Sequence, residues 1–292
     1  MTFSIVARSG ESLGIAVASK FLAVGAAVPA ADSAAGALAT QSYANLAYKK
    51  TGLALLREGT DAATVVSTLI GDDAGRDERQ LGVVPLSGSG ATYTGSACPE
   101  WAGGVAGDDY AIQGNILAGP GVIDAMLESW LATAGTNASE ASGMGASRAM
   151  ASLGGGMSLA RRLLAALAAG DGAGGDRRGR QSAALLVVRP GAGYGGGDDV
   201  EVDLRMDDDQ DPVAGLNRML GLHELYFGRS DPSTLLELKG DLAYEVGERL
   251  HHLGHFGELE QALESWAGIE NLEERLVPGR IDPLVLEHLR NC

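Results

Sequence analysis

Phe3, Ile5 and Ala7 alternate with Ser4, Val6 and Arg8, a period of two that predicts a strand from the second residue onward. A turn cluster at residues 9–12 leads into an apolar run over 13–21, with Gly14, Ala16 and Ala18 on one side. That run predicts a second strand, hairpinned to the first. A third run over 36–41 leads into Ser42, Tyr43 and Asn45. Between residues 46 and 69, Leu53, Leu55, Leu56, Ala63, Val66 and Leu69 predict a pair of helices, broken at Gly59, with Thr60 or Asp61 as the second N-cap. Strands follow over 80–86 and 91–94, joined by a Ser-Gly hairpin loop, and over 110–114. Pro120 opens a helix over 122–132 with Ile123, Met126, Leu127 and Trp130 as its stripe. Residues 135–158, rich in Gly, Ala, Ser and Met, read as a mobile insertion. A helix over 158–169 and strands over 183–188 and 200–205 complete the series.

Runs of strands thus alternate with pairs of helices, unlike the single alternation of a doubly wound sheet. The expected class is α+β: two sheets face to face with a helical layer outside each. The acidic stretch from Asp207 to Asp211 marks the expected end of this domain, residues 1–211. From Pro212 the pattern becomes helical, with amphipathic helices over 216–227, 233–253, 256–267 and after Pro283, so residues 212–292 form a small all-α domain.

Composition narrows the chemistry. Only 5% of the 292 residues are aromatic and 43 are Gly, so the core must be closely packed Ala, Val, Leu and Ile. The net charge of −16 excludes a nucleic-acid partner. The lone mid-chain Cys98 is read as packing, and Cys292 gives it no disulfide or zinc spacing. No basic-then-apolar leader and no apolar run of about 18 residues is seen, so the expected setting is the cytoplasm, without a membrane partner. The Asp207–Asp211 run lacks the Gly and distal Glu of a calcium loop and reads as a solvated turn. All five His residues lie at or beyond His223, which argues against His-based catalysis in the first domain. His251, His252 and His255 have no carboxylate or Cys at a diagnostic spacing, so no metal and no cofactor is expected.

Thr2 carries the sharpest chemistry. Removal of Met1 would give Thr2 both a hydroxyl and a free α-amine, anchored by a buried strand. An α-amine has a reference pKa of about 8 and is partly neutral at physiological pH. It can accept the proton of its own hydroxyl, the threonine version of an activated nucleophile.

The segments TFSIVAR (2–8), VASKFLAVG (17–25), ATQSYAN (39–45), QGNILAG (113–119) and GDRRGRQS (175–182) resemble the DUF1028 family, which looks like a branch of the N-terminal-nucleophile (Ntn) hydrolases. The resemblance implies a four-layer αββα sandwich. It implies an oxyanion loop at Gln113, Gly114 and Asn115, with Asn115 as donor, and a supporting turn from Asp176 to Ser182. The chain departs from the proteasome-like pattern twice. Ser19 stands where an Asp is expected, and the third run carries Gln41 instead of a Lys. Lys20 is the candidate substitute. Asp176 and Arg180 are read as part of a carboxylate-binding fork, and Gln41 and Asn45 as holders of a substrate amide. LGHFG (253–257) and DPLVLEHLR (282–290) resemble the peptidoglycan-binding helical domain that follows some DUF1028 domains. The expected function is hydrolysis of a small amide or peptide-like substrate, such as one derived from the cell wall, by a homo-oligomer, taken as a dimer. The alternative is a non-catalytic ligand- or peptidoglycan-binding protein on the same scaffold.

Overall fold

The computed structural model describes residues 2–133 and 157–292; the expected insertion over 135–158 lies outside the described residues, apart from its last two. In chain order the elements are β1 (Thr2–Ser9), β2 (Ser12–Ser19), the single turn α1 (Val24–Ala27), β3 (Pro29–Asp32), β4 (Gly36–Ser42), α2 (Ala47–Arg57), α3 (Ala62–Gly71), β5 (Arg79–Pro85), β6 (Ala91–Thr94), β7 (Gly103–Ala106) and β8 (Tyr110–Asn115). Then come α4 (Gly121–Ala132), α5 (Leu159–Gly172), β9 (Ser182–Val188), β10 (Val200–Met206), α6 (Pro212–Phe227), β11 (Leu236–Glu237), α7 (Gly240–His252), α8 (Leu259–Glu270), β12 (Arg280–Ile281) and α9 (Pro283–Asn291). Two compact units divide between Leu220 and Gly221.

The first unit contains two antiparallel sheets. One has the order β10-β9-β2-β1-β8-β7, the other β3-β4-β5-β6. The alternation in β1 sorts its side chains between layers. Phe3, Ile5 and Ala7 pack with Met126 and Trp130 of α4 and Leu163 and Leu167 of α5. Val6, with Ile15 and Val17 of β2, packs against Ala37 and Ala39 of β4 and Val84 of β5. On the far side of the second sheet, Leu38, Leu81 and Val83 meet Tyr48 and Leu56 of α2 and Val65 and Leu69 of α3. The result is the expected four-layer αββα sandwich. Asp61 is the cap of α3, its carboxylate accepting from the Thr64 N–H at 3.0 Å.

In the first unit three short elements were not anticipated: α1, β3 and β7, each of four residues. A Pro, small residues and paired glycines leave them no readable alternation. In the second unit, α7, α8 and α9 close around Leu250, Leu263, Trp266 and Leu286. The helix expected over 233–253 begins only at Gly240, because Leu236 and Glu237 pair with Ile281 and Arg280. A buried Arg275–Asp282 ion pair at 2.6 Å ties the α8–α9 connection to α9, whose first turn Asp282 also caps.

Candidate functional site

At one end of the six-stranded sheet, four polar residues follow one another across adjacent strands. Asn115 is opposite Thr2 and Ser182 is opposite Ser19, while β1 and β2 pair from Phe3 and Ala18 onward. The Thr2 and Ser19 hydroxyls bridge the central pair, Oγ1 to Oγ, at 3.2 Å. One step further in, Ser4 and Gln113 form the next row.

These residues meet a matching pair from the second sheet. Gln41 and Gln80 are register partners on β4 and β5. Ser4 Oγ donates to Gln41 Oε1 at 2.7 Å and accepts from Gln113 Nε2 at 2.6 Å. Gln80 is the hub of the cluster. Its Oε1 accepts from Gln41 Nε2 at 2.8 Å and Asn115 Nδ2 at 2.9 Å. Its Nε2 donates to the Gly114 carbonyl at 2.7 Å, Thr94 Oγ1 at 2.9 Å and the Gly103 carbonyl at 3.2 Å. Gly82 makes room for this layer, since a Cβ there would run into the Gln113 side-chain amide. The Thr2 carbonyl is in turn held by Gln41 Nε2 at 3.2 Å and Asn115 Nδ2 at 3.4 Å. All four amide side chains are buried. A buried polar network of this kind is stable only when its members are satisfied, and it fixes a single arrangement when they are.

The network assigns the orientation of Asn115. Gln80 Nε2 is committed to carbonyl acceptors, so Gln80 offers Oε1, and Asn115 must answer with Nδ2. Asn115 Oδ1 is left buried without a partner. The amide NH2 expected to face an oxyanion is therefore engaged inside the fold. The neighbouring N–H groups are engaged as well: Ile116 donates to the Pro99 carbonyl, Leu117 to Trp101 and Ala118 to Gly175, at 2.9–3.0 Å. Ile116 has φ 47° and Ser42 has φ 66°, so a left-handed residue follows both Asn115 and Gln41. Such a conformation costs a non-glycine residue on the order of 1–3 kcal/mol and is retained where the surroundings impose it.

Asp176 and Ser182 support the segment after Ser19. The Asp176 carboxylate accepts from the Lys20 N–H at 2.8 Å, the Arg178 N–H at 2.9 Å and the Arg178 guanidinium at 3.1 Å. The Ser182 hydroxyl donates to the Phe21 carbonyl and accepts from the Val24 N–H at 3.1 Å. Arg180, the arginine of the expected fork, pairs with Asp171 at 2.8 Å, while Arg178 pairs with Asp176. Lys20, the candidate activating cation, is exposed, and its Nζ donates to the Arg180 carbonyl at 3.2 Å. Asn45 also stands apart from Thr2. It donates to Asp73 at 3.0 Å and accepts from the Ala47 N–H at the start of α2. The Arg79 guanidinium, then Asn45, holds the Asp73 carboxyl well below the usual carboxylate range, and burial with Asp73 alongside pushes the Tyr48 phenol up.

A cavity of about 450 Å³ opens beside this end of the sheet, lined by Phe3, Ser19, Asp171, Asp176, Arg180 and Ser182 among others. Of the expected site residues, Ser19, Asp176, Arg180 and Ser182 share this wall, while Gln41, Gln113 and Asn115 share the network behind Thr2. Ser4 and Gln80 were not anticipated. Their signal was a polar side chain on the inward face of an otherwise apolar strand.

The family model described as "Family of unknown function (DUF1028)" matches residues 2–216. A second, described as "Putative peptidoglycan binding domain", matches residues 226–289. The crystal structure of protein SPO2555 from Silicibacter pomeroyi, itself described by the DUF1028 family model, superposes with a TM-score of 0.62 at 29% identity, covering 83% of this chain and 88% of that one. No curated protein matches. No described helix is long and apolar enough to cross a membrane.

Proposed function

Since the chain belongs to the DUF1028 family, whose function is unknown, we propose from its site that it is an amidohydrolase acting on a small amide or peptide-like substrate. Thr2 is the nucleophile, with its α-amine freed by removal of Met1. Thr2 Oγ1 attacks the amide carbonyl carbon while the α-amine takes the hydroxyl proton. The tetrahedral intermediate collapses, the C–N bond breaks, and the same proton passes to the leaving nitrogen. Water then hydrolyses the resulting ester, the amine again carrying the proton, and Thr2 is restored. One observation carries this reading: Thr2 Oγ1 is 3.2 Å from the hydroxyl of Ser19, a residue of the cavity wall. The match to the family model begins at Thr2, and the αββα layer order is the one that the resemblance to Ntn hydrolases implies. The C-terminal match supports a wall-derived substrate, or anchorage of the enzyme to a peptidoglycan-like polymer.

A second reading is favoured by the engaged donors. Asn115 Nδ2 and the N–H groups of residues 116–118 all have internal acceptors, which suits a scaffold that binds its ligand without turning it over. Intact mass and a variant pair separate the two. Catalysis requires loss of Met1, hydrolysis of some member of a panel of small amides and muropeptides, retained turnover in Thr2→Ser and loss in Thr2→Ala. Equal turnover in Thr2→Ala and the wild type removes Thr2 from the mechanism. A retained Met1 ends the amine-based form of it.

A further inference from the structure

The second unit carries a groove of about 310 Å³ between α7, the Phe256–Gly257 turn and α8. Its α7 wall is Ala243 together with a stripe of Tyr244, Gly247, Glu248 and His251 at positions i, i+3, i+4 and i+7. The opposite stripe of α7, with Val246 and Leu250, is buried in the core, while Tyr244, Glu248 and Phe256 stand outside that cluster. Tyr244 is 72% exposed and Phe256 67% exposed, and the Phe256 ring is set edge-on to His251 at 4.9 Å. Two large aromatic residues left this exposed in the lining of one groove are the informative kind of exposed residue.

Gly247 points the same way. Glycine inside a helix is less stable than alanine because it loses more backbone freedom on folding. A Cβ at this position would meet only the Leu259 side chain, at an ordinary 3.8 Å. Packing therefore does not require glycine, and its effect is to keep the groove floor open. Glu248 is the one carboxylate lining the groove and has no ion pair among the described residues; the basic residues of the lining are His251 and His255, with no Lys or Arg.

Aromatic faces beside an unpaired carboxylate recognise a cation carried on an organic chain. We propose that this groove binds the free ammonium group of a peptidoglycan peptide stem, with Tyr244 and Phe256 flanking the cation and Glu248 as its counter-charge. The proposal rests on the reading of the second unit as a binder of wall polymer, and it is independent of whether Thr2 is catalytic.

The test is co-sedimentation of the full chain with purified peptidoglycan sacculi, native and after acetylation of their free amines. Glu248→Gln and the double variant Tyr244→Ala/Phe256→Ala should each weaken binding to native sacculi about tenfold, the size of a well-placed cation–aromatic or charged contact. Acetylation should weaken the wild type by a similar factor and leave Glu248→Gln unchanged. Gly247→Ala should raise the melting temperature yet reduce binding, opposite signs that a purely structural glycine would not give. Acetylated sacculi bound as tightly as native ones, or variants of unchanged circular dichroism binding like the wild type, overturn the groove assignment. Failure of the wild type to bind either preparation overturns the wall-polymer reading itself. Thr2→Ala should bind native sacculi normally, so a failure of the hydrolase reading leaves this result unaffected.

Discussion

Replacing Gln80 with Leu should destabilise the first unit by more than any change on its surface. Gln80 is fully buried and makes five hydrogen bonds, two through Oε1 and three through Nε2. Leucine fits the volume but answers none of them. Gln41 Nε2, Asn115 Nδ2, Thr94 Oγ1 and the Gly114 carbonyl each lose their short partner. At about 1–2 kcal/mol per group left without its bond, the gross loss is about 4–8 kcal/mol. Burying the leucine side chain returns about 2 kcal/mol, leaving a net loss of about 2–6 kcal/mol. That is a large share of the roughly 5–15 kcal/mol that holds a domain folded. Because the chain has two compact units, a single optical transition would mix them. Hydrogen exchange read by mass spectrometry along a urea series resolves them. Peptides from β1, β4, β5 and β8 should exchange at lower urea in the variant, and peptides from α7 to α9 should not move. Gln80→Glu tests the donor half separately. Its carboxylate keeps both acceptor contacts but cannot donate, and burial without a cation raises its folded-state pKa above the ordinary value. The deficit of that variant should therefore be smallest below the unfolded glutamate value of about 4.3, grow as pH rises from there to the raised folded pKa, and level off above it. A Gln80→Leu loss below about 1 kcal/mol would refute the assignment of Gln80 as the hub that orients Gln41 and Asn115.

Two further substitutions probe the surroundings of the site. Asp73 is held in its charged form by Arg79, Asn45, Tyr48 and the Gly75 N–H, so its folded-state pKa lies below the unfolded one. Its contribution is present above the unfolded value of about 3.9 and is lost as pH falls below it, so Asp73→Asn should flatten the acid limb of a melting-temperature profile taken from about pH 5 downward. An unchanged acid limb would place the acid-labile groups elsewhere. Asp176→Asn should cost about 1.5–3 kcal/mol, because one of its two acceptor positions becomes a donor facing either the Lys20 N–H at Oδ2 or the Arg178 N–H at Oδ1. Hydrogen exchange over residues 20–24 should accelerate in that variant, and wild-type protection there would mean that Asp176 does not brace the turn.

How far the chain could be read beforehand depended on where the information sits. Alternation along β1 sorted Phe3, Ile5 and Ala7 from Ser4 and Val6 correctly, because a strand's two faces are a local property. The four layers followed from the order of such segments. What alternation cannot tell is whether a polar face meets water or another polar face. Ser4 looks solvent-facing until its partners are known, and those partners, Gln41 and Gln113, are 37 and 109 residues away. Gln80 was hidden for the same reason: one polar residue in an apolar strand signifies a hub only once Gln41, Asn115 and two carbonyls are placed around it. Short elements failed differently, since β3 and β7 are too brief and too rich in small residues for any period to show.

The reading of Asn115 marks where residue type stops being informative. Asparagine can present a donor or an acceptor, and which one faces a ligand is decided by what engages the other end. Here Gln80 engages Nδ2, and Gln80 is itself fixed by backbone carbonyls that cannot reverse. The group left over is Oδ1, an acceptor, buried and unpartnered directly across the ladder from Thr2. A catalytic role for Asn115 as an oxyanion donor would therefore require Gln80 to rotate as well. If Thr2 is the nucleophile, the donors for its tetrahedral intermediate have to come from the cavity side, where Ser19 is the nearest hydroxyl, at 3.2 Å. Ser19→Ala then becomes the discriminating variant on that side. It removes a hydroxyl without touching the amide network, so it should lower turnover while leaving the exchange protection of β1 and β8 intact.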